Sequence, residues 1–265
     1  MTRVPMLEVK SLGKRFPARA GREPPPWIIQ DMTFSVGAGE LLTIVGPSGA
    51  GKSTLLNIIA QIDVASAGEI VFDGESIVSA ERKALRPGLD RRIGYVTQDD
   101  NLLPWRTTID NVLFPIEVQG RIDDAARARA QELIEAVGLK GFERYYPHEL
   151  SGGMRKRAAL IRTLVYDPPM ILMDEPFAAV DAQTRTQLQE DLLRLWSLKR
   201  KTIIFVTHDI TEAIALGDRA LVLTRRPARI AAEHPIPIPR PRNVRDIFTM
   251  PGFPAIHERL RKDVQ

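Results

Sequence analysis

Apolar residues follow two different patterns along this chain. Near the N-terminus they recur at every second position, as at Leu7 and Val9, and this spacing predicts antiparallel strands with one buried face. Other apolar runs are nearly continuous and lie at 41–45, 170–173 and 202–206. Continuous runs of this length are typical of strands that are buried on both faces of a parallel sheet.

Helical patterns separate the buried runs. Helices are predicted over 124–137, 182–198 and 209–217. Gly138 follows the first of them, at a position where glycine commonly ends a helix. The third is expected to open with a capping box, in which Asp209 and Glu212 satisfy each other's backbone N–H groups.

These elements predict an α/β fold with a mostly parallel core sheet and an N-terminal antiparallel β subdomain. We expect one domain over residues 7–234. From residue 235 the chain reads Pro-Ile-Pro-Ile-Pro-Arg-Pro, which favours an extended conformation. Residues 235–265 are therefore predicted to form a separate, proline-rich C-terminal appendage.

The composition narrows the classes of function. The 265 residues include no cysteine, which excludes disulfides and thiolate metal sites and fits a cytosolic protein. No apolar stretch approaches the roughly 20 residues that span a bilayer. The net charge of +4 is a weak bias, and the chain lacks the dense basic run with interleaved aromatics that argues for nucleic-acid binding.

A glycine-rich segment between an apolar run and a helical run predicts a phosphate-binding loop. Its members are Gly46, Pro47, Ser48, Gly49, Ala50, Gly51, Lys52, Ser53 and Thr54. The glycines let backbone N–H groups approach phosphate oxygens, and the following helix adds its positive dipole end. Lys52 is expected to reach the β- and γ-phosphates, and the Ser53 hydroxyl suits a Mg²⁺ ion.

Acidic and polar residues follow the other two buried runs. Asp174 and Glu175 end the run at 170–173, and His208 lies just beyond 202–206. Ligands of open parallel sheets bind beyond the carboxyl ends of the strands, so we expect one shared site. Asp174 would bind Mg²⁺ and Glu175 would activate water, an assistance worth roughly 10²–10⁴ in rate.

A third segment reads Leu-Ser-Gly-Gly before an apolar run. Ser151 fits a helix N-cap, and Gly152 and Gly153 leave N–H groups open toward an anion. On the residues alone, an ordinary capped helix is the better explanation of this pattern.

The order of these segments resembles the ABC-transporter ATPase family over residues 7 to about 230. The resemblance implies a helical signature subdomain over about 99–165 and a head-to-tail ATP sandwich, in which Ser151, Gly152 and Gly153 contact ATP held by a second copy. It also implies roles for four further residues. Gln98 would contact Mg²⁺ and water, Asp181 would lie at the dimer junction, His208 would touch the γ-phosphate and Phe16 would stack on adenine. A packed core phenylalanine is the alternative for Phe16.

Two short segments refine the resemblance. Met154 stands where the family more often has glutamine. Leu-Leu-Pro-Trp at 102–105 is similar to the nitrate, sulfonate and taurine branch of importer ATPases. Residues 99–115 are therefore predicted to form a permease-coupling surface with Trp105 as its anchor, the alternative being a core tryptophan.

The resemblance thus implies an ATP-hydrolysing subunit with the cofactors ATP and Mg²⁺. Its expected partners are a second copy, transmembrane permease subunits and, indirectly, a periplasmic or extracellular solute-binding protein, at the cytoplasmic face of the inner membrane. Two alternatives remain, a non-transport ABC ATPase acting on DNA or ribosomes and an exporter ATPase. Basic residues concentrated near the C-terminus are interpreted as a solvated surface, with contact to anionic lipid or to a partner subunit as alternatives: Arg225, Arg226, Arg229, Arg240, Arg242 and Arg245.

Overall fold

The computed structural model describes residues 5–17, 25–80, 90–120, 122–178 and 180–264. The strands are β1 Pro5–Lys14, β2 Ile29–Gly37, β3 Leu41–Val45, β4 Ala67–Phe72, β5 Glu75–Ser79, β6 Ile93–Val96, β7 Met170–Asp174, β8 Thr202–Thr207, β9 Arg219–Leu223 and β10 Ile230–Pro235. The helices are α1 Lys52–Ile59, α2 Thr108–Gln119, α3 Asp124–Ala136, α4 Gly152–Leu164, α5 Ala182–Lys199, α6 Ile210–Leu216 and α7 Phe253–Asp263, with short 3-10 turns at Pro147–Glu149 and Ile247–Thr249. Within these ranges, no helix is both long and apolar enough to cross a bilayer.

The core sheet has the strand order β10-β9-β3-β8-β7-β6. Its strands from β9 to β6 are parallel, and only the edge strand β10 is antiparallel. Every residue of β3 and β8 is buried, because both strands lie in the middle of the sheet with packed faces above and below. The strands predicted at 41–45, 170–173 and 202–206 are confirmed as β3, β7 and β8.

The predicted antiparallel subdomain is a second sheet with the order β2-β1-β4-β5. Val9 on β1 lies opposite both Phe34 on β2 and Ile70 on β4. An apolar cluster joins the inner face of this sheet to β3 and α1, with Leu55 and Leu56 fully buried in it. This packing fixes the start of α1 against both sheets.

The helices α2, α3 and α4 pack around their own apolar cluster. Each begins at a side chain that accepts a backbone N–H, namely Thr107, Asp123 and Ser151. Helix α3 ends where the sequence predicts, with Gly138 at φ +69° just beyond it. These three helices thus share one apolar core.

The capping box predicted for α6 forms only in part. The Asp209 carboxylate accepts the N–H groups of Thr211 and Glu212 at 2.8 and 3.2 Å, as expected. The Asp209 N–H, however, donates to the Thr207 hydroxyl at 3.0 Å. The Glu212 side chain is buried and accepts a hydrogen bond from Gln189 instead.

The segment after β10 packs against α6 and β9. Ile236, Ile238 and Val244 join Ile214 and Val222 in one apolar cluster, and α7 closes it. The domain boundary at 234/235 stays a prediction. The helix α7 was not foreseen from the proline-rich composition.

The interpretation of the C-terminal arginines as solvated is wrong for two of them. Arg242 is buried and donates to five backbone carbonyls, those of Ile214, Ala215, Gly217, Ile236 and Ile238. Arg240 pairs with Asp218 at 2.8 Å, and its guanidinium lies 4.2 Å from the ring centre of the buried Trp196. The C-terminal end of α6 presents carbonyls that need hydrogen-bond donors, and Arg240 and Arg242 supply them.

Candidate active site

The phosphate loop lies between β3 and α1. Gly49 and Gly51 have φ of +77° and +93°, a left-handed conformation that favours glycine. Gly46 lacks room for a side chain, because a Cβ there would lie 3.1 Å from the Leu223 carbonyl oxygen. The other residues of the predicted loop continue this turn into the first turn of α1, and they are Pro47, Ser48, Ala50, Ser53 and Thr54.

Lys52 connects the loop to the end of β7. It is only 5% exposed, and its ammonium donates to the carbonyls of Gly46 at 2.8 Å and Pro47 at 3.2 Å. The same Nζ lies 3.5 Å from Oε1 of Glu175. Glu175 therefore lies beside the buried ammonium of Lys52, which is the only basic residue of the loop.

Glu175 and His208 come together because their strands are neighbours. β7 and β8 pair in parallel with Asp174 opposite Val206, and the Glu175 N–H donates to the Val206 carbonyl at 3.0 Å. Nδ1 of the exposed His208 lies 2.8 Å from Oε2 of Glu175. The Glu175 carboxylate is thus held between Lys52 and His208.

Asp174 occupies a less solvated position at the same edge. Burial raises its pKa, the neighbouring charge of Glu175 adds to this, and hydrogen bonds from Ser53 and Tyr95 oppose it. The Tyr95 hydroxyl is 3.5 Å from Oδ2 of Asp174. The hydrogen bond from Ser53, in the first turn of α1, brings two of the three predicted Mg²⁺ ligands together.

Within the described residues, no hydrogen bond joins Gln98 or Phe16 to the other predicted residues of the ATP site. Gln98 follows β6, which pairs with β7 so that Val96 lies opposite Met173, and its carbonyl accepts a hydrogen bond from Lys156. Phe16 is 52% exposed, so the alternative of a core phenylalanine is wrong. Its contact with adenine stays a prediction.

The signature segment is arranged differently. The Ser151 hydroxyl caps α4 by accepting the N–H of Met154 at 3.3 Å, and Gly152 beside it is exposed. A Cβ on Gly153 would lie 2.6 Å from Cγ2 of Thr184, so α4 and α5 approach closely only because this residue is glycine. Across the described ranges, no hydrogen bond or ion pair joins this segment to the phosphate loop.

Asp181 and Met154 border the signature segment. Asp181 caps α5 by accepting the Thr184 N–H at 2.9 Å, and hydrogen bonds from Thr184 lower the pKa of its carboxyl. Met154 packs partly against the apolar cluster of α2, α3 and α4. It also lines a cavity of about 450 Å³ between α4 and α5, together with Ser151 and Arg245.

Two contacts of the site were not found from the sequence. The Tyr95 hydroxyl donates to Asn57 Oδ1 on α1 at 2.9 Å, and Arg226 donates to the Gly49 carbonyl of the phosphate loop at 2.6 Å. A buried tyrosine usually finds a hydrogen-bond partner, so a tyrosine inside an apolar strand was a usable signal for the first. The second joins residues far apart in the chain, and no local pattern indicates it.

The family comparison agrees with this geometry. The profile of the ABC transporter family matches residues 29–178, which is more than half of the chain. The chain belongs to the ABC transporter family. This ABC ATPase therefore binds ATP, and its activity is ATP hydrolysis.

Several relatives of the ABC ATPase match it over most of their length. An uncharacterized ABC transporter ATP-binding protein of Methanocaldococcus jannaschii is 44% identical over 89% of this chain and 84% of its own. The aliphatic sulfonates import ATP-binding protein SsuB of Bacillus subtilis is 40% identical over 90% and 87%. The taurine import ATP-binding protein TauB of Burkholderia pseudomallei is 40% identical over 86% of each chain.

A solved structure matches the fold of the ABC ATPase. It is a dimeric post-hydrolysis state of the ATP-binding cassette MJ0796 bound to ADP and phosphate. The TM-score is 0.72 at 32% identity, and the match covers 87% of this chain and 99% of that one. The mostly parallel core with an added antiparallel sheet is therefore the fold of an ABC cassette.

Proposed function

We propose that this ABC ATPase powers the import of a small solute of the nitrate, sulfonate or taurine class. The catalytic part is carried by one observation, the cluster of Lys52, Glu175 and His208 at the carboxyl edge of the core sheet. The importer part is supported by the names of the sulfonate and taurine relatives. The segment 102–105 supports the same branch.

Ser53 and Asp174 fit a Mg²⁺ ion, because they offer a hydroxyl and a carboxylate oxygen, and Mg²⁺ in such sites takes one or two carboxylates together with substrate phosphates. Gln98, which follows the neighbouring strand β6, would add an amide oxygen. The hydrogen bond between Ser53 and Asp174 places two of these donors in contact. When bound, Mg²⁺ would neutralise charge on the β- and γ-phosphates.

The chain's own residues then divide the reaction between them. Lys52 binds the β- and γ-phosphate oxygens, and His208 contacts the γ-phosphate. Glu175 accepts a proton from the attacking water, whose oxygen bonds to the γ-phosphorus. The bond from that phosphorus to the bridging oxygen breaks, and ADP leaves with its electron pair. Positioning and charge stabilisation provide most of the acceleration in such transfers.

A second copy supplies the rest of the site in this proposal. Ser151 and Gly152 are exposed, and within the described residues the Ser151 hydroxyl bonds only to the Met154 N–H of its own helix. A head-to-tail dimer brings them to the γ-phosphate on the other subunit, with Asp181 at the junction. The dimeric state of the MJ0796 cassette supports this arrangement.

Residues 99–115 are proposed to bind the permease. Trp105 is 71% exposed, so the alternative of a core tryptophan is wrong. Beside this segment a cavity of about 630 Å³ is lined by Leu103, Phe114 and Val118, among others. An exposed tryptophan next to an apolar groove suits a helix of a membrane partner. The subunit would then act at the cytoplasmic face of the membrane, with a solute-binding protein on the other side.

The catalytic assignment is tested with Glu175→Gln. This variant should bind ATP, favour the dimer and lose at least about 10²-fold in turnover, because the general base is gone. Glu135→Gln is the matched control. Glu135 lies on α3 and forms an exposed ion pair with Lys140, so this variant should hydrolyse ATP normally. Wild-type turnover by Glu175→Gln would refute the role of Glu175.

The permease assignment is tested by crosslinking. A photoreactive residue at Trp105 should crosslink to a cytoplasmic loop of a co-expressed permease. The same residue at Leu198, which is also exposed but lies at the end of α5, should give no such product. Equal crosslinking from both positions, or none from Trp105, would contradict the proposal.

A further inference from the structure

Glu212 is a buried carboxyl for which the proposed chemistry has no use. It lies in the first turn of α6, four residues after His208, and is 7% exposed. Buried carboxyls are costly unless hydrogen bonds or charges compensate them. Its contacts therefore show what the structure gains from it.

Glu212 connects two elements of the site. Its Oε1 accepts a hydrogen bond from Nε2 of Gln189 on α5 at 2.9 Å. Its other side-chain partner is the hydroxyl of Thr207, the last residue of β8. One carboxyl thus ties the helix that follows Asp181 to the strand that ends at His208.

The Thr207 hydroxyl fixes the turn that carries His208. It accepts the backbone N–H of Asp209 at 3.0 Å, so its own proton is left for Glu212. Since residues 207 and 209 flank His208, one hydroxyl holds the backbone on both sides of the imidazole. The Thr207 hydroxyl also acts on the Glu212 carboxyl and lowers its pKa, so Glu212 would set the orientation of that hydroxyl.

Helix α5 supports the same turn at a second point. Arg185, one helical turn before Gln189, lies 3.9 Å from the Asp209 carboxylate. Arg185 and Asp209 are also the charged groups that act on Glu212. Burial raises the pKa of Glu212, Asp209 raises it further, and Arg185 opposes both.

The geometry points to Glu212 as a positioning residue that holds the His208 turn, through Thr207, so that the imidazole meets Glu175. This inference rests on the role proposed for His208. Within the described residues, no hydrogen bond or ion pair joins Glu212 to Lys52, Ser53 or the rest of the phosphate loop. Its loss should therefore lower kcat and leave the KM for ATP unchanged.

The first experiment is a double-mutant cycle measured as ATP turnover. Glu212→Ala should lower kcat by about 10-fold to 100-fold, the loss expected when a catalytic group is misplaced by about 1 Å. In the His208→Ala background the same substitution should change kcat by less than about twofold, because two residues that act through one step are not additive. An equal loss in both backgrounds would overturn the inference.

A second measurement does not depend on activity. The chain has only four histidines, so the ring ¹H–¹⁵N NMR spectrum is simple. The signals that His208→Ala removes are those of His208. Glu212→Ala and Thr207→Val should both shift the His208 signals. Thr207→Val keeps the side-chain volume, so it tests the same link if Glu212→Ala folds poorly.

The matched control is Thr43→Val. Thr43 is fully buried on β3 and also contacts α6, through the Ala213 carbonyl at 3.4 Å, but it does not reach Thr207. It should leave kcat and the His208 signals as in wild type. Unmoved His208 signals in both Glu212→Ala and Thr207→Val would refute the positioning role, whereas wild-type turnover by His208→Ala would instead refute the proposed function of His208.

Discussion

The phosphate loop and the signature segment are both glycine-rich starts of helices, yet their surroundings differ. At the phosphate loop, Lys52 is almost fully buried and contacts backbone carbonyls and Glu175. At the signature, Ser151 contacts its own helix and Gly152 is exposed. The first region is assembled within one chain, and the second presents its donors outward. Similar sequence patterns thus occupy two different environments in one chain, and in the proposed dimer they would form opposite ends of one site.

The phosphate loop and the signature segment can be weakened separately by substitution. Lys52→Ala should lower kcat/KM by about 10²–10³, because a preorganised donor to the transferring phosphate is lost. The ATP affinity of the subunit, measured at a concentration low enough to keep it monomeric (the dilute subunit), should fall as well. Lys201→Ala, which removes a lysine paired with Asp167 at the far end of β8, should alter neither in enzyme and nucleotide-binding assays.

Ser151→Ala should give the opposite pattern. Turnover should fall by about tenfold, the value of one hydrogen bond to a charged group, while the dilute subunit keeps its ATP affinity. Asp123→Ala, which removes the equivalent cap from α3, controls for the loss of about 1 kcal/mol of helix capping. If Ser151→Ala weakened ATP binding by the dilute subunit, the two regions would not be separate.

Gly153→Ala tests the packing beneath the signature and should have a smaller effect. Its Cβ would overlap Cγ2 of Thr184, and overpacking of this kind costs about 1–3 kcal/mol. Thermal unfolding should show a Tm lower by roughly 2–4 °C for each kcal/mol.

Thr184→Ser is the rescue for that variant, because serine lacks the overlapping methyl group and keeps the hydroxyl. Gly152→Ala is the control, since its nearest neighbour would be Nη2 of Arg155 at 3.9 Å. A Tm for Gly153→Ala equal to that of Gly152→Ala would show that α4 and α5 adjust freely.

The smallest expected effect concerns Asp174 without nucleotide. Burial raises the pKa of its carboxyl in the folded state, so the folded protein binds more protons than the unfolded chain. The free energy of unfolding therefore falls as pH rises through the ordinary carboxyl range of about 4, and this loss levels off above the raised pKa of Asp174. Asp174→Asn should raise Tm at neutral pH by on the order of 2 °C.

The pH dependence provides the control for that variant. The difference in Tm between Asp174→Asn and wild type should close at pH of about 3, where both side chains are neutral. Asp73→Asn, at an exposed turn, is the matched variant for the change of side chain itself. A lower Tm for Asp174→Asn at neutral pH would mean that the carboxylate is already compensated in the nucleotide-free chain.

The sequence predicts most of the scaffold because the signals are local. Continuous apolar runs predict β3, β7 and β8, and parallel pairing places their ends at one edge. Long-range contacts leave no such signal. The sequence pattern assigns Glu212 to a capping box, whereas in the structure its carboxylate accepts a hydrogen bond from Gln189, twenty-three residues earlier. The interpretation of Arg242 as solvated is wrong for the same reason, because three of its five carbonyl partners lie at the C-terminal end of α6, far earlier in the chain.

Trp105 and Trp196 are two of the three tryptophans of the chain, and once Trp27 is replaced by phenylalanine they give this protein a built-in optical readout. Trp105 is 71% exposed, so its fluorescence should be red-shifted and quenched by iodide, whereas Trp196 is 3% exposed and lies between the guanidinium groups of Arg200 and Arg240. A partner that covers residues 99–115 would shift the first emission to the blue. Displacement of the C-terminal segment would instead change the second, so one spectrum distinguishes docking on one side of the molecule from rearrangement on another.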